Sequence, residues 1–150
     1  MRRFRYRLER LLELRRYRER EWELKLAGIT GRCLRIRSEI QSRHSIKGQT
    51  HQDWRIPAGP VDINRLFASE RYLLRMDQEI KVLGQELVIR EEERTEIQGR
   101  YLEVSKMRKV LDKLKERRQQ EYYQEQKKEE LKSADETYLG RASRRKLTGG

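Results

Sequence analysis

The residues that could carry chemistry are few and far apart. The sequence has two histidines, His44 and His51, and one cysteine, Cys33. Zinc sites use such ligands at short, repeated spacings, and these residues match none of those patterns. Cys33 falls on an apolar stripe, where it is better interpreted as a small core residue than as a nucleophile. No GxxxxGK[ST] phosphate loop occurs. We therefore predict no catalytic site, no metal and no cofactor, and interpret the protein as a non-enzyme.

The composition indicates long helices rather than a compact core. Of the 150 residues, 41% are charged and 35% are hydrophobic, and the mean hydropathy is -1.11. This is too little apolar mass for an ordinary globular core, yet the apolar residues recur at regular spacings. A charge-rich chain of this kind with two prolines is typical of a coiled coil. The predicted fold class is all-α.

The formal net charge of +12 leaves four explanations open. The partner could be a nucleic acid, an acidic membrane surface or an acidic protein, or the charge could simply solvate the helix surfaces. Glutamate is mixed with arginine almost everywhere, which weakens the case for nucleic acid. The single cysteine excludes an internal disulfide, and no apolar run is long enough for a membrane span or a secretory signal. We therefore expect a cytoplasmic protein.

One strong break divides the sequence. The segment 44–62 contains two prolines and two glycines, which end helices and favour turns. Asp62 is a suitable N-cap for the helix that follows. These signals predict a single coiled-coil domain over residues 1–139 and a flexible basic tail. Its segments are a helix over about 4–45, a loop over 46–61 with the chain reversal at Arg55–Pro57, a helix over about 63–135, and the tail over 140–150.

Each predicted helix carries an apolar stripe whose spacing alternates between three and four residues, as in a coiled coil. The first stripe comprises Leu8, Leu12, Arg15, Glu19, Trp22, Leu26, Ile29, Cys33, Ile36 and Ile40. The second comprises Leu73, Met76, Ile80, Leu83, Leu87, Arg90, Arg94, Ile97, Tyr101 and Val104. An antiparallel hairpin pairs the two stripes in constant register, from Ile40 opposite Leu73 to Leu8 opposite Val104.

The stripe of the first helix loses its apolar residues over 15–21, "RRYRERE". In the predicted register this segment lies opposite "REEERTE" at 90–96. Glu19 would then face Arg94, and the indole of Trp22 would stack with Arg90, while Arg15 completes the polar layer. Such a layer lowers stability but specifies register and orientation. Because the second helix is longer, everything beyond Met107 is predicted to overhang the first helix.

Three blocks of the sequence resemble a known family. The opening "FRYRLERLLELRRYRERE", the middle "NRLFASERYLLRMDQEIKVLGQEL" and the late "RKVLDKLKERRQQEYYQEQKKEELKSADE" are similar to the corresponding blocks of the flagellar type III export protein FliJ. The resemblance covers nearly the whole chain. It implies an antiparallel two-helix coiled coil, similar to the central stalk of rotary ATP synthases. It further implies binding to the hexameric flagellar export ATPase, the transmembrane export gate and export chaperones, at the inner-membrane face of the flagellar basal body.

The resemblance also suggests contact residues. The joined chain ends would enter the ATPase ring, with contacts from Arg5, Arg16, Arg18, Arg20, Arg117 and Arg118. The early second helix would face the gate, through Tyr72, Met76 and Leu83, although Glu79 stands where a small residue would suit the family better. Met76 and Leu83 also lie on the stripe and could serve as core alone. Alternative functions are a nucleic-acid-binding coiled coil, a structural spacer, or the equivalent stalk of a virulence secretion system.

Overall fold

Two long helices account for nearly all of the chain. The computed structural model describes residues 2–54, 59–60 and 62–149. Helix α1 comprises Glu9–Asp53 and helix α2 comprises Ile63–Thr148. They pack against each other in antiparallel orientation, because early residues of α1 contact late residues of α2. Within the described residues there is no strand, so the predicted all-α, two-helix antiparallel coiled coil is confirmed.

The core of the coiled coil follows the predicted stripes. Every stripe residue is buried or half-buried apart from Leu8, which lies just before α1 and is exposed. The most deeply buried apolar residues are Leu12, Ile29, Cys33, Ile36 and Met76. The spacing of apolar residues therefore identified the contact face of both helices correctly, including the polar positions at 15, 19, 90 and 94.

The contacts of the chain group into two compact units. Unit 1 comprises Met1–Arg18 and Val104–Gly150, and unit 2 comprises Glu19–Glu103. Each unit contains a part of both helices. Unit 2 includes the chain reversal, and unit 1 includes both chain ends.

Helix α1 begins later than predicted, at Glu9 rather than near residue 4. Residues 2–6 are not helical, and a turn at 7–8 leads into α1 through a hydrogen bond from the Glu9 amide to the Tyr6 carbonyl at 3.2 Å. Phe4 and Tyr6 are half-buried, whereas Arg3, Arg5 and Arg7 are exposed. This alternation with a period of two is that of an extended chain lying on a surface. The contacts of the Phe4 and Tyr6 rings stabilise the extended segment more than the helix propensity of its arginines would stabilise a helix.

Helix α1 also ends later than predicted, at Asp53 rather than near residue 45. Gly48 costs a helix only about 1 kcal/mol, and no proline precedes position 57. Lys47 and Thr50 continue the contact face, and Lys47 forms an ion pair with Asp77 of α2. This packing holds the additional turns in place. The loop predicted over 46–61 is therefore mostly helix in its first half.

The chain reversal predicted at Arg55–Pro57 lies outside the described residues. After it, Gly59 has a φ of 110°, which favours glycine because other residues clash there. The predicted N-cap of the second helix is present. An Asp62 carboxylate oxygen accepts a hydrogen bond from the Asn64 amide at 3.1 Å, directly before α2 begins at Ile63.

Helix α2 continues to Thr148, well past the predicted end near residue 135. The predicted flexible tail at 140–150 is thus helical as far as Thr148. Gly140 is the only glycine in its first nine residues, and arginine, alanine, lysine and leucine are good helix formers. Extending an existing helix also needs no new nucleation, so a segment with low helix propensity can remain helical when it continues the turns before it.

The predicted register is wrong. Within unit 2, the Trp22 ring lies 5.6 Å from the Arg100 guanidinium, about ten residues beyond the predicted Arg90. Arg90 and Arg94 instead form ion pairs with Glu93 and Glu91 of their own helix, both at 3.0 Å. The polar layer that set Glu19 opposite Arg94 therefore does not form as predicted.

Two physical causes explain the difference between the predicted and the observed register. Because α1 continues to Asp53 rather than ending near residue 45, each residue of α1 meets a later residue of α2 than predicted. In addition, coiled-coil stripes repeat every ~3.5 residues, so a slip of about three turns again sets apolar residues opposite each other. Several alignments of the two stripes therefore give a constant pairing register. The spacing of the apolar residues alone could not distinguish among these alignments.

The overhang of α2 is present but begins later than predicted. Residues beyond Met107 are contacted by the start of the chain as far as Gln126, whose side-chain amide approaches the Arg2 carbonyl at 3.5 Å. From Lys127 to Gly149, every residue is exposed apart from Ala142. This last part of α2 includes Leu131, Tyr138, Leu139 and Leu147 among its exposed side chains.

Candidate protein-interaction surfaces

The extended start of the chain is held on α2 by aromatic side chains. The Phe4 and Tyr122 rings lie 5.5 Å apart, and the Tyr122 hydroxyl donates a hydrogen bond to the Arg2 carbonyl at 2.7 Å. The Tyr6 hydroxyl donates to the Leu111 carbonyl at 3.4 Å. Gln126 donates to the Tyr122 hydroxyl at 2.9 Å, which orients it. These contacts place the arginines at 3, 5 and 7 on the outside of unit 1.

A cluster of charges joins α1 to α2 in the same unit. Asp112 accepts hydrogen bonds from Arg16, at 3.1 Å, and from Arg108. Burial raises the pKa of Asp112, but the hydrogen bonds from Arg108 and Arg16 outweigh it, so this pKa lies below its usual value. Glu9, two turns before Arg16 on α1, forms an ion pair at 2.8 Å with Lys115, which lies one turn after Asp112 on α2. Arg16, a predicted ring contact, is thus partly used within the chain.

The charges around Asp112 predict a pH-dependent contribution to stability. We expect Asp112→Asn to lower the free energy of unfolding by about 0.5 to 1 kcal/mol at pH 7, since the carboxylate is partly solvated. A depressed pKa means that this contribution is complete above the unfolded pKa of about 4 and is lost as pH falls through the folded pKa. Denaturant unfolding of both proteins at pH 7 and near pH 2 measures the difference.

The exposed Glu116, also on α2, provides the control for this experiment. Glu116→Gln should differ little from the parent protein at either pH. A difference between Asp112→Asn and the parent that stays constant as pH falls would contradict the assignment of the Asp112 contribution to its charge.

The predicted ring contacts are all exposed. Arg20 belongs to unit 2, and the other five belong to unit 1. Besides Arg16, Arg117 is in an ion pair, with Glu121 at 3.5 Å. Their role as contacts to an ATPase stays a prediction.

The three predicted gate contacts differ in exposure. Tyr72 is 40% exposed, Leu83 is half-buried, and Met76 is 8% exposed and belongs to the core. Leu83 lines an open groove of about 440 Å³ together with Glu79 and Arg43. A hydrogen bond from Arg43 lowers the pKa of Glu79 against the effect of burial, so the groove carries a fixed ion pair. Of the three, only Tyr72 is exposed, and its role as a gate contact stays a prediction.

The described residues hold no group of three or more histidine, cysteine or acidic side chains arranged for a metal ion. His51 lines an open groove of about 320 Å³ beside Trp54 and Leu73, near the reversal of the chain. Cys33 is buried in the core of unit 2, as its place on the stripe predicts. Over the residues that the structure describes, neither helix contains a stretch apolar enough to cross a bilayer.

Comparison with protein families matches residues 4–147 to the family described as "Flagellar FliJ protein". The chain belongs to the FliJ family. The comparisons with curated proteins and with solved structures found no match. The FliJ family is a family of flagellar protein export components that are not enzymes. The resemblance noted in the three sequence blocks is thereby confirmed, and the match covers both units and most of the exposed end of α2.

Sequence reasoning missed several residues that shape unit 1 of this FliJ protein. The periodicity predicts a helix at Phe4 and Tyr6, and an overhang without contacts at Tyr122 and Gln126. The strict alternation "RFRYRL" at 3–8 was a signal for an extended segment. For Asp112, the spacing of four from Arg108 was a signal for an ion pair within α2, whereas the contact with Arg16 depends on the register of the helices.

Proposed function

We propose that this FliJ protein is a non-enzymatic stalk and adaptor of the flagellar type III export apparatus. It binds the hexameric export ATPase and promotes its activity, and it links the ATPase to the transmembrane export gate and to export chaperones. Its proposed location is the cytoplasm, at the inner-membrane face of the flagellar basal body. The family match over residues 4–147 is the observation that carries this proposal.

The exposed end of α2 supports the proposal that the ATPase ring binds unit 1. Isolated helices with this polarity are marginal in water, and residues 127–149 contact no other part of the described chain strongly enough to bury them. Tyr138 is 73% exposed, and Leu131, Leu139 and Leu147 are similarly uncovered. A ring that surrounds this end would cover these side chains.

The protein would act on the ATPase by unequal binding to its conformations. A ligand shifts an equilibrium only by the difference between its affinities for the two states. Arg5, Arg18 and Arg118 are exposed and form no ion pair within the described chain. They are therefore available to acidic groups that approach in one state of the ring and withdraw in another.

The test is ATP hydrolysis by the purified cognate export ATPase with and without the full-length protein. We expect stimulation that saturates as the protein is added. The triple variant Arg5→Glu, Arg18→Glu and Arg118→Glu should stimulate less at every concentration, while its circular dichroism and melting match the parent protein. Absence of both stimulation and co-purification with the ATPase would refute the proposed function.

A further inference from the structure

The net charge of the protein resides entirely in unit 1. Residues 19–103 contain fifteen arginines and lysines and fifteen aspartates and glutamates, so unit 2 is neutral. The remaining residues hold twenty-two basic and ten acidic side chains, which accounts for the full +12. Such a partition is not what a general solvating role predicts, because both units have exposed surface that charged side chains would solvate. It indicates that unit 1 meets an anionic partner.

Within unit 1, the positive charge is concentrated in two segments that lie against each other. Residues 2–18 and 104–118 together contain fifteen basic and four acidic side chains. Twelve of the basic side chains are exposed. Two of the four acids, Glu9 and Asp112, are already occupied by ion pairs between α1 and α2. Most of the arginines and lysines therefore have no acidic partner within the described chain.

Exposed apolar side chains interrupt this positive surface on one side. The Arg15 guanidinium donates a hydrogen bond to the Met107 sulfur at 3.2 Å, which places the two residues side by side. Leu11 lies one turn before Arg15, and Val110 and Leu114 follow Met107 at helical spacing. All three are exposed, as is Met107. We call this set of five residues the Leu11–Leu114 face.

We propose that unit 1 binds directly to the surface of an anionic phospholipid bilayer through its arginines and lysines and the Leu11–Leu114 face. Each arginine or lysine close to an anionic membrane raises the affinity of a basic segment about fivefold. Arginine and lysine stems lie along the interface while their charges reach the headgroups, and leucine, valine and methionine enter the acyl boundary. The proposal goes beyond the proposed role at the ATPase and does not depend on it.

The arrangement of the charges favours a bilayer over other polyanions. The exposed arginines occur on the extended segment and on both helices, so they are spread over several elements of unit 1 rather than gathered on one. Lipids rearrange around any such pattern, whereas a folded acidic protein must match it. A nucleic acid duplex would use the positive charge but would leave the apolar side chains of the Leu11–Leu114 face without a contact.

The experiment is co-sedimentation of the full-length protein with vesicles at several salt concentrations. One set of vesicles contains phosphatidylcholine with about one third phosphatidylglycerol, and the other contains phosphatidylcholine alone. We expect binding to the anionic vesicles, weakening as salt screens the charges, and no measurable binding to the neutral ones. Equal binding to both kinds of vesicle would overturn the proposal.

Two charge-reversed variants with the same net charge locate the binding surface. The first carries Arg3→Glu, Arg10→Glu, Lys109→Glu and Lys113→Glu in unit 1, and the second reverses four exposed residues of unit 2. The second set is Arg32→Glu, Arg35→Glu, Arg65→Glu and Arg71→Glu. The first variant should lose about a hundredfold or more in vesicle affinity, and the second less than about threefold. Equal losses would overturn the assignment to unit 1.

Two further measurements complete the test. If the unit 1 variant fails to fold, the comparison of anionic with neutral vesicles for the parent protein decides alone. Binding of a DNA duplex at the same salt tests the competing polyanion, and tighter binding to the duplex than to the anionic vesicles would overturn the lipid assignment. Because no ATPase is present, these results are independent of whether the protein stimulates one.

Discussion

Replacing Leu12 with alanine is expected to reduce the free energy of unfolding by about 2 to 5 kcal/mol. The Leu12 side chain is 0% exposed and lies between α1 and α2 in unit 1. Its removal leaves a cavity that neighbouring side chains cannot fill, because few other apolar residues of this unit are buried. Denaturant unfolding followed by circular dichroism at 222 nm measures the loss.

Leu14→Ala is the matched control for Leu12→Ala. Leu14 has the same side chain, lies on the same helix within unit 1 and is 46% exposed. We expect Leu14→Ala to change the free energy of unfolding by less than about 1 kcal/mol, since folding buries less of the apolar surface of Leu14 than of Leu12. Equal losses in the two variants would show that the contact face of α1 is not the one described.

The second large effect concerns two of the predicted gate contacts. Met76→Ala should lower the free energy of unfolding by about 2 to 5 kcal/mol, because Met76 packs in the core of unit 2. Tyr72→Ala should leave stability nearly unchanged and, on the proposed function, should weaken binding to the cytoplasmic part of the export gate. Unfolding curves and titration of that gate domain, performed on both variants, separate the two effects.

The comparison of these two variants distinguishes a core residue from a contact residue. A Met76→Ala protein that keeps its stability but loses gate binding would contradict the burial of Met76. A Tyr72→Ala protein with unchanged gate affinity would remove the accessible member of the predicted gate set. In that case the gate, if it binds at all, uses another part of the protein.

The sequence was sufficient to predict the two helices, their antiparallel pairing and their contact faces. The alternation of three and four residues from Leu12 to Ile40 carries this information, because it is repeated over many turns. Asp62 was recognised as the N-cap of α2 for a local reason, the presence of an acceptor before the first amides of a helix. Both signals are short-range or periodic and need no knowledge of the partner segment.

The register could not be predicted in the same way. It depends on where the chain turns, and therefore on whether residues 46–53 are helical despite Gly48. That outcome is set by packing, through the half-buried Ile46, Lys47 and Thr50, rather than by propensity. The contact of Arg16 with Asp112 and the contacts of the chain start with α2 follow from the register, so they were unpredictable for the same reason. The charged segment 15–21 consequently specified a different set of neighbours from those expected.

The contacts between the helices have a consequence for the order of folding during synthesis. In unit 2 the partners are close in sequence, with Lys47 and Asp77 separated by 30 residues and Arg43 and Glu79 by 36. In unit 1 they are distant, with 96 residues between Arg16 and Asp112 and 120 between Arg2 and Tyr122. At about 5 to 20 residues per second, the arginine-rich segment waits about 6 to 24 seconds after its synthesis before its binding site on α2 exists. The pairing of the helices can therefore begin beside the reversal, and residues 2–6 are held only after the second half of α2 has been made.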